Sequence, residues 1–308
     1  MLETIIQQTL NALQLGSYYS LIALGYCLVY GVLLLINFAH GDIFMVGAYI
    51  AFFVATALVG HYGLVPTGMP PWLVLTATVI LTMLLTSAVG VFIERVAYRP
   101  LRRKGASRLY VVITALMCGI ILEYGNLAAL GASRRSFPTL VHKVLIDVAG
   151  ATVTNLKLAS IGVAFGVFAL LQWIVTKTKL GMAMRAVSYD KFAVPLMGIP
   201  LDIIIVFTFF LGSGMAGLAG MLYAMNFPVL DPFMGALVGW KAFVAAVVGG
   251  IGDIRGAFVG GFLLAFLEIA VAAVFSSELR DLISFTILLG ILTMKPTGLF
   301  GVARFTKI

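Results

Sequence analysis

The sequence predicts an all-α, polytopic transmembrane helix bundle of about eight to ten spans, organised as a single membrane domain over residues 1–308. Three observations predict it. Apolar residues make up 62% of the chain and charged residues only 10%, where soluble domains hold about 45–50% and about 25%. Mean hydropathy is +1.11, so lipid is the solvent for most of the chain. The apolar segments are also continuous: 161–174 and 257–266 are interrupted only by Gly and one Gln. In lipid every backbone polar group needs an internal partner, which leaves helices and closed barrels. Barrel strands alternate apolar and polar residues, and these segments do not.

A ruler of about 20 apolar residues places spans near 12–35, 42–60, 71–93, 109–130, 157–176, 201–225, 233–250, 257–275 and 282–300. The seventh is the weakest, because Lys241 lies within it and Gly crowds its end; a re-entrant or broken helix fits as well. The formal net charge of +8 does not indicate nucleic-acid binding, because no soluble basic domain carries it. The basic residues collect in short connections instead. Arg95, Arg99, Arg102, Arg103, Lys104 and Arg108 lie in loop 94–108. Lys177, Lys179, Arg185 and Lys191 lie in loop 177–199, and Arg304 and Lys307 in the tail. These three regions are expected to face the cytoplasm, which with nine spans puts the N-terminus and loop 131–156 outside. Arg134, Arg135 and Lys143 in that loop weaken the asymmetry without reversing it. Cys27 and Cys118 lie inside spans and read as small core residues. Glu3 and the lack of basic residues before the first span argue against a cleavable leader.

Between the first two spans, Asn37-Phe38-Ala39-His40-Gly41-Asp42 breaks the apolar run. It reads as a tight connection near the membrane surface, with Asp42 at a helix N-terminus where negative charge suits the dipole. Its role is either a capped polar turn or a gate or hinge at the cytoplasmic end of a pathway. His40 and Asp42 alone do not make a metal site.

Loop 177–199 is too long for a simple connector. After Gly181, residues 182–194 suit a helix on which Met182, Ala186 and Tyr189 share a face, with Arg185 and Asp190 beside it. Pro195 is expected to end that helix, with a second turn at 196–198. Such a helix either lies on the bilayer or docks into a partner's groove.

The run Val248-Gly249-Gly250-Ile251-Gly252-Asp253-Ile254-Arg255-Gly256 lacks the Lys-Ser/Thr and the preceding strand of a phosphate-binding loop, so it reads as a sharp turn. Gly256 and Gly260 then allow close helix approach. The G-x-G-x-x-G match at 212–217 lies inside a span with no βαβ context and is rejected. Gly212, Ala216 and Gly220 form a small-residue packing stripe instead. Ionisable groups in or near spans are Glu94, Glu123, Asp231, Lys241 and Glu268. Glu123 and Glu268 are the deepest, and each is a candidate to pair with Lys241 or an Arg. No nucleophile–base pair, zinc motif or Walker A sequence is present, so no catalytic or metal-binding role is expected.

Six groups of residues carry a family resemblance. They are Gly25-Tyr26 with Val29-Tyr30-Gly31; Ile36 to Gly41; Ile93-Glu94-Arg95-Val96-Ala97-Tyr98-Arg99-Pro100; Gly181 with Arg185-Ala186 and Asp190 through Gly198-Ile199; Lys241-Ala242-Phe243 with Gly249-Gly250-Ile251-Gly252; and Pro296-Thr297-Gly298. Their number and order resemble the permease family of branched-chain amino-acid ABC importers, specifically its shorter permease, over nearly the whole chain. The resemblance implies a multi-pass subunit of a bacterial inner membrane with a cytoplasmic C-terminus. It implies a second homologous permease, two cytoplasmic ATPases that hold ATP and Mg, and a periplasmic solute-binding protein. It implies Leu, Ile and Val as solutes, with urea or short amides carried by related importers. Loop 177–199, with Lys191 and Gly198, matches the segment that touches an ATPase. Pro195 departs from the helix-tolerant residue expected there. Asn37, His40, Asp42, Glu123, Lys241 and Glu268 are the gate or pathway candidates. An ATP-independent secondary transporter, with Glu123 and Glu268 as paired ionisable groups, is the rival reading.

Overall fold

In the computed structural model, which describes residues 2–61, 70–148, 150–275 and 278–301, the chain is a helical bundle. The helices are α1 (Leu2–Leu33), α2 (His40–Thr56), α3 (Pro71–Ile93), α4 (Arg99–Arg103), α5 (Arg108–Leu130), α6 (Asn155–Lys177), α7 (Lys179–Tyr189), α8 (Ala193–Leu196), α9 (Leu201–Asn226), α10 (Met234–Gly250), α11 (Ile254–Val274) and α12 (Arg280–Met294). Two short antiparallel ladders were not foreseen from the sequence. Strand β1 (Arg135–Ser136) pairs with β4 (Val229–Leu230), and β2 (Leu145–Val148) forms a hairpin with β3 (Ala151–Thr154).

Each predicted span falls on a helix. Seven helices among the described residues are long and apolar enough to cross a membrane. The seventh and ninth spans correspond to α10 and α12, of 17 and 15 residues. At 1.5 Å per residue they reach only about 22–26 Å, short of a hydrocarbon core of about 30 Å. Three boundaries differ from expectation. α1 begins at Leu2, not near residue 12. Much of the predicted loop 94–108 is helical: a π-helical turn at Glu94–Tyr98 carries α3 into α4. The ninth span stops at Met294, because Pro296 has no N–H to continue it. The chain then turns back, and the amides of Leu299 and Phe300 donate to Val248 O and Gly249 O at 2.8 and 2.9 Å, satisfying the end of α10. The expected cytoplasmic tail residues Arg304 and Lys307 lie outside the described residues.

Burial sorts helices that hydropathy alone cannot. The most apolar windows of α1 and α9 are 83% and 72% buried, whereas those of α5 and α6 are 17% buried. α1 and α9 form the centre, α11 packs on α1, and α2 and α3 pack on α9. Small residues let the centre close. Gly212 lies against the Gly25 backbone of α1, Gly220 against Phe44 and Ala48 of α2, and Ala216 between them is fully buried. The expected stripe on α9 thus serves two neighbours. Gly256 and Gly260 of α11 meet Gly249 and Ala245 of α10, as the small-residue spacing predicts.

The connections gather at the two ends. At one, the segments after α1, α4, α7 and α10 come together. Lys191 Nζ donates to Leu33 O at 2.5 Å, and Asp202 at the start of α9 is held by Arg99, by Arg102 at 2.7 Å and by Arg103 at 2.9 Å. This is the basic end. At the other, Lys157 Nζ donates to Asn11 Oδ1 at 2.7 Å, Asn226 to Ser160 Oγ at 3.0 Å, and Arg134 to Asp231 at 3.1 Å.

Candidate functional site

Three groups of predicted residues can be followed upward from their elements. The first is the segment after α6. Thr178 Oγ1 accepts from Gly181 N at 3.1 Å and caps α7, so Gly181 lies in the first turn and does not precede it. The predicted helix 182–194 is two helices. It breaks at Asp190, whose extended backbone leaves α7 and whose Oδ1 accepts from the amides of Phe192 and Ala193 at 2.8 and 3.1 Å. A side-chain acceptor at a helix start stabilises it by about 1 kcal/mol. Pro195 therefore does not end the helix; it lies within α8, and the turn closes at Gly198, where φ is +77°. Met182 and Tyr189 do share the outer face of α7, while Ala186 is half-buried beside them. Tyr189 and Phe192 are 95% and 91% exposed, and Leu196 and Met197 are also exposed. The charges expected to flank a docking face are engaged locally: Arg185 donates to Val175 O, and Asp190 caps α8. The opposite face of α7 buries Ala183, Met184 and Val187 against α1 and α9.

The second group is Asn37–Asp42. It was expected near the membrane surface, but Asn37, His40 and Asp42 are all buried. Asn37 Oδ1 accepts from Tyr98 Oη at 2.7 Å. His40 packs edge-on to Tyr26, ring centres 4.7 Å apart, in the space left by Gly25. Asp42 lies in the first turn of α2 as expected, and reaches into the space left by Gly119 of α5. The reason for the burial is Gly41. A Cβ there would sit 2.7 Å from Gly235 O and 2.8 Å from Gly239 Cα, so the bare backbone lets the turn sink against α10. Ala39 stands at the N-cap of α2 and no side chain caps it, so the expected capped surface turn does not form here.

The third group joins residues the sequence could not pair. Lys241 Nζ lies 3.0 Å from Glu268 Oε1 and 2.7 Å from Asp281 Oδ1. Arg280 lies 3.8 Å from Glu268 Oε2 and 3.3 Å from Asp281 Oδ1, and Tyr19 Oη donates to Glu268 Oε2 at 3.1 Å. Two cations and two anions thus tie α1, α10, α11 and α12 together. Arg280 and Asp281 were not singled out from the sequence, because they flank the last span and look interfacial. The group borders a cavity of about 810 Å³ at the end opposite the basic one. Asn11, Gln14, Lys157, Tyr223, Asn226 and Asp231 also line it. Glu123 does not join this group. It is half-buried on α5 and makes no ion pair or side-chain hydrogen bond to Lys241, Glu268, Arg280 or Asp281 among the described residues. Glu94 is fully buried and paired with Arg102 at 2.9 Å.

What such an arrangement can do is bind polar solute, pack helices and present an apolar face. Residues 8–292 match the family described as branched-chain amino acid transport system, permease component. The chain is 38% identical to the high-affinity branched-chain amino acid transport system permease protein BraD of Pseudomonas aeruginosa, with 98% of each chain covered. It is 36% identical to the permease protein LivH of Escherichia coli K12, covering 98% of this chain and 97% of that one. A probable branched-chain amino acid transport permease of Methanocaldococcus jannaschii is 26% identical over 92% of this chain.

Proposed function

The chain belongs to the family of branched-chain amino acid transport permeases, and from that premise we propose that it forms half of the translocation pathway of an ATP-driven importer of Leu, Ile and Val. It is a multi-pass membrane protein. Its basic end faces the cytoplasm of a bacterial inner membrane. A second, homologous permease completes the pathway. Two cytoplasmic ATPases bind ATP and Mg and hydrolyse it, and a periplasmic binding protein delivers the solute to the opposite end. The polar cavity there carries both signs of charge, which suits a zwitterion with an apolar side chain.

The observation that carries the reading is the exposed apolar row Met182, Tyr189, Phe192 and Leu196 at the basic end. Two nearly bare aromatic rings beside a cluster of arginines suit a partner's groove, with the basic rim around it. The back of the same segment is anchored. α7 buries its other face on α1 and α9, Arg185 ties it to α6, and Lys191 reaches the last turn of α1. A load applied to Tyr189 and Phe192 therefore reaches the most buried helix of the bundle, which is what coupling ATP closure to alternating access requires.

The test is Tyr189→Arg and Phe192→Arg in the assembled importer. Both side chains are exposed, so insertion and thermal stability should match the parent. Solute-stimulated ATP hydrolysis and uptake should fall at least about tenfold, the effect of losing about 1.4 kcal/mol at an interface anchor. Unchanged stimulation and uptake in both variants would remove the coupling role from this segment.

A further inference from the structure

At the basic end, a cavity of about 150 Å³ lies between the C-terminal turn of α1, the π-turn after α3, the start of α5 and Lys191. Its polar lining is Asn37, Tyr98, Arg102, Arg108 and Lys191, and none of its lining residues is acidic. Of the nearby carboxylates, Asp202 is held by Arg99, Arg102 and Arg103, and Glu94 meets Arg102 through Oε1 while its buried Oε2 has no partner among the described residues; neither residue lines the cavity. Arg108 forms no ion pair among the described residues. Burial, and after it the charges of Arg102 and Arg108, push the Lys191 ammonium below the usual lysine range, so three cations converge on one space.

A second, independent observation points to a ligand. Asn37 is 3% exposed and lines the cavity. Its Oδ1 accepts from Tyr98 Oη at 2.7 Å, which leaves its amide nitrogen as the donor without a partner. That nitrogen has no acceptor among the described residues. A buried donor left without an acceptor is costly, so its environment favours a group that can accept from it. The space is therefore lined by positive charge, with no carboxylate in its lining and an unpartnered amide donor on one lining residue.

We propose that this cavity is an oxyanion site that takes the phosphate of an anionic phospholipid headgroup from the leaflet at the basic end. The flanks favour lipid over a soluble anion. α3 and α5 bury little of their surface, and beside the cavity-lining Tyr98 and Arg108 the end of α3, the π-turn and the start of α5 expose Phe92, Val96, Leu109 and Tyr110, an apolar track for acyl chains. A basic pocket between spanning helices at the cytoplasmic face is the chemistry that holds such headgroups. The transported amino acid is a poorer fit, because its ammonium finds no carboxylate in the lining.

The experiment is native mass spectrometry of the full chain in detergent, titrated with phosphatidylglycerol, with phosphatidylcholine, and with inorganic phosphate. The parent should bind phosphatidylglycerol in preference to phosphatidylcholine. Arg108→Ala should weaken phosphatidylglycerol about fivefold, the effect of one basic contact at a membrane surface. Arg108→Lys should keep most of the preference. Asn37→Asp, of nearly the same shape, supplies an anion of its own and should abolish it. Equal affinity for both lipids in all four proteins would overturn the site. Phosphate binding to delipidated protein without any preference between lipids would overturn the lipid assignment in favour of a soluble phosphate. Loss of bound phosphatidylglycerol on adding the ATPase subunits would assign the cavity to a partner's carboxylate and overturn it equally.

Discussion

Replacing Lys241 with Met exposes how much of the bundle depends on one buried charge. Lys241 touches Glu268 at 3.0 Å and Asp281 at 2.7 Å, but the two carboxylates depend on it unequally. Asp281 is 48% exposed at its side chain, keeps Arg280 at 3.3 Å, and is screened by water. Glu268 is fully buried, and without Lys241 it retains only the Tyr19 hydroxyl at 3.1 Å and Arg280 at 3.8 Å. At 3.0 Å and an effective dielectric constant of about 20, the Lys241–Glu268 attraction is roughly 5 kcal/mol before desolvation. Deleting one partner of a buried pair typically costs about 3–5 kcal/mol, since the other charge is left uncompensated. Lys241→Met should therefore destabilise the protein by about 3–5 kcal/mol. Glu268→Gln should cost less, because Lys241 keeps Asp281 and the amide can still accept from Tyr19. The double variant should recover at least about 2 kcal/mol relative to the sum of the singles, the signature of direct coupling. Equilibrium unfolding in mixed detergent micelles, followed by circular dichroism, measures all four corners of the cycle. A Lys241→Met cost below about 1 kcal/mol, or simple additivity, would refute the argument that this pair is buried and mutually dependent.

Two further outcomes follow from local geometry. Gly41→Ala places a methyl 2.7 Å from Gly235 O and 2.8 Å from Gly239 Cα, so α2 must move off α10. The expected loss is about 1–3 kcal/mol, the usual effect of overpacking, read as a fall in melting temperature; Gly125→Ala, which meets nothing within 4 Å, is the control. Asp190→Asn keeps the acceptor that caps α8 and should preserve stability. Asp190→Leu removes it and should cost about 1 kcal/mol and raise proteolysis in 190–198, detected by limited digestion and mass spectrometry.

Much of the fold and part of the candidate site were legible in the sequence. The small-residue stripes on α9 and α11 were readable because close packing in lipid relies on residues at spacing four, and Gly212, Gly220, Gly256 and Gly260 all meet a neighbouring helix. That 177–199 is a structured segment and not a simple connector was readable because it is long, polar at its edges and ends in Gly and Pro. Its internal break was not. Helical periodicity over 182–194 carries no sign that Asp190 turns its carboxylate back onto the amides of Phe192 and Ala193. The burial of Asn37, His40 and Asp42 was also hidden. Polar residues between two apolar runs look like a surface turn, and only contact with α10 shows that the turn lies inside.

The sequence by itself determined the solvent, the helical class, the spans' order and the concentration of cations at one end, because those follow from hydropathy, length and charge counted along the chain. The tertiary structure alone decided which helices are central, since α1 and α5 are both apolar yet one is buried and the other faces outward. It also decided which charges pair. Lys241 and Glu268 are separated by a turn and most of a helix, and Asn37 and Tyr98 by 61 residues. Their meeting depends on helix rotation and close approach at bare glycines, quantities that a one-dimensional pattern does not contain.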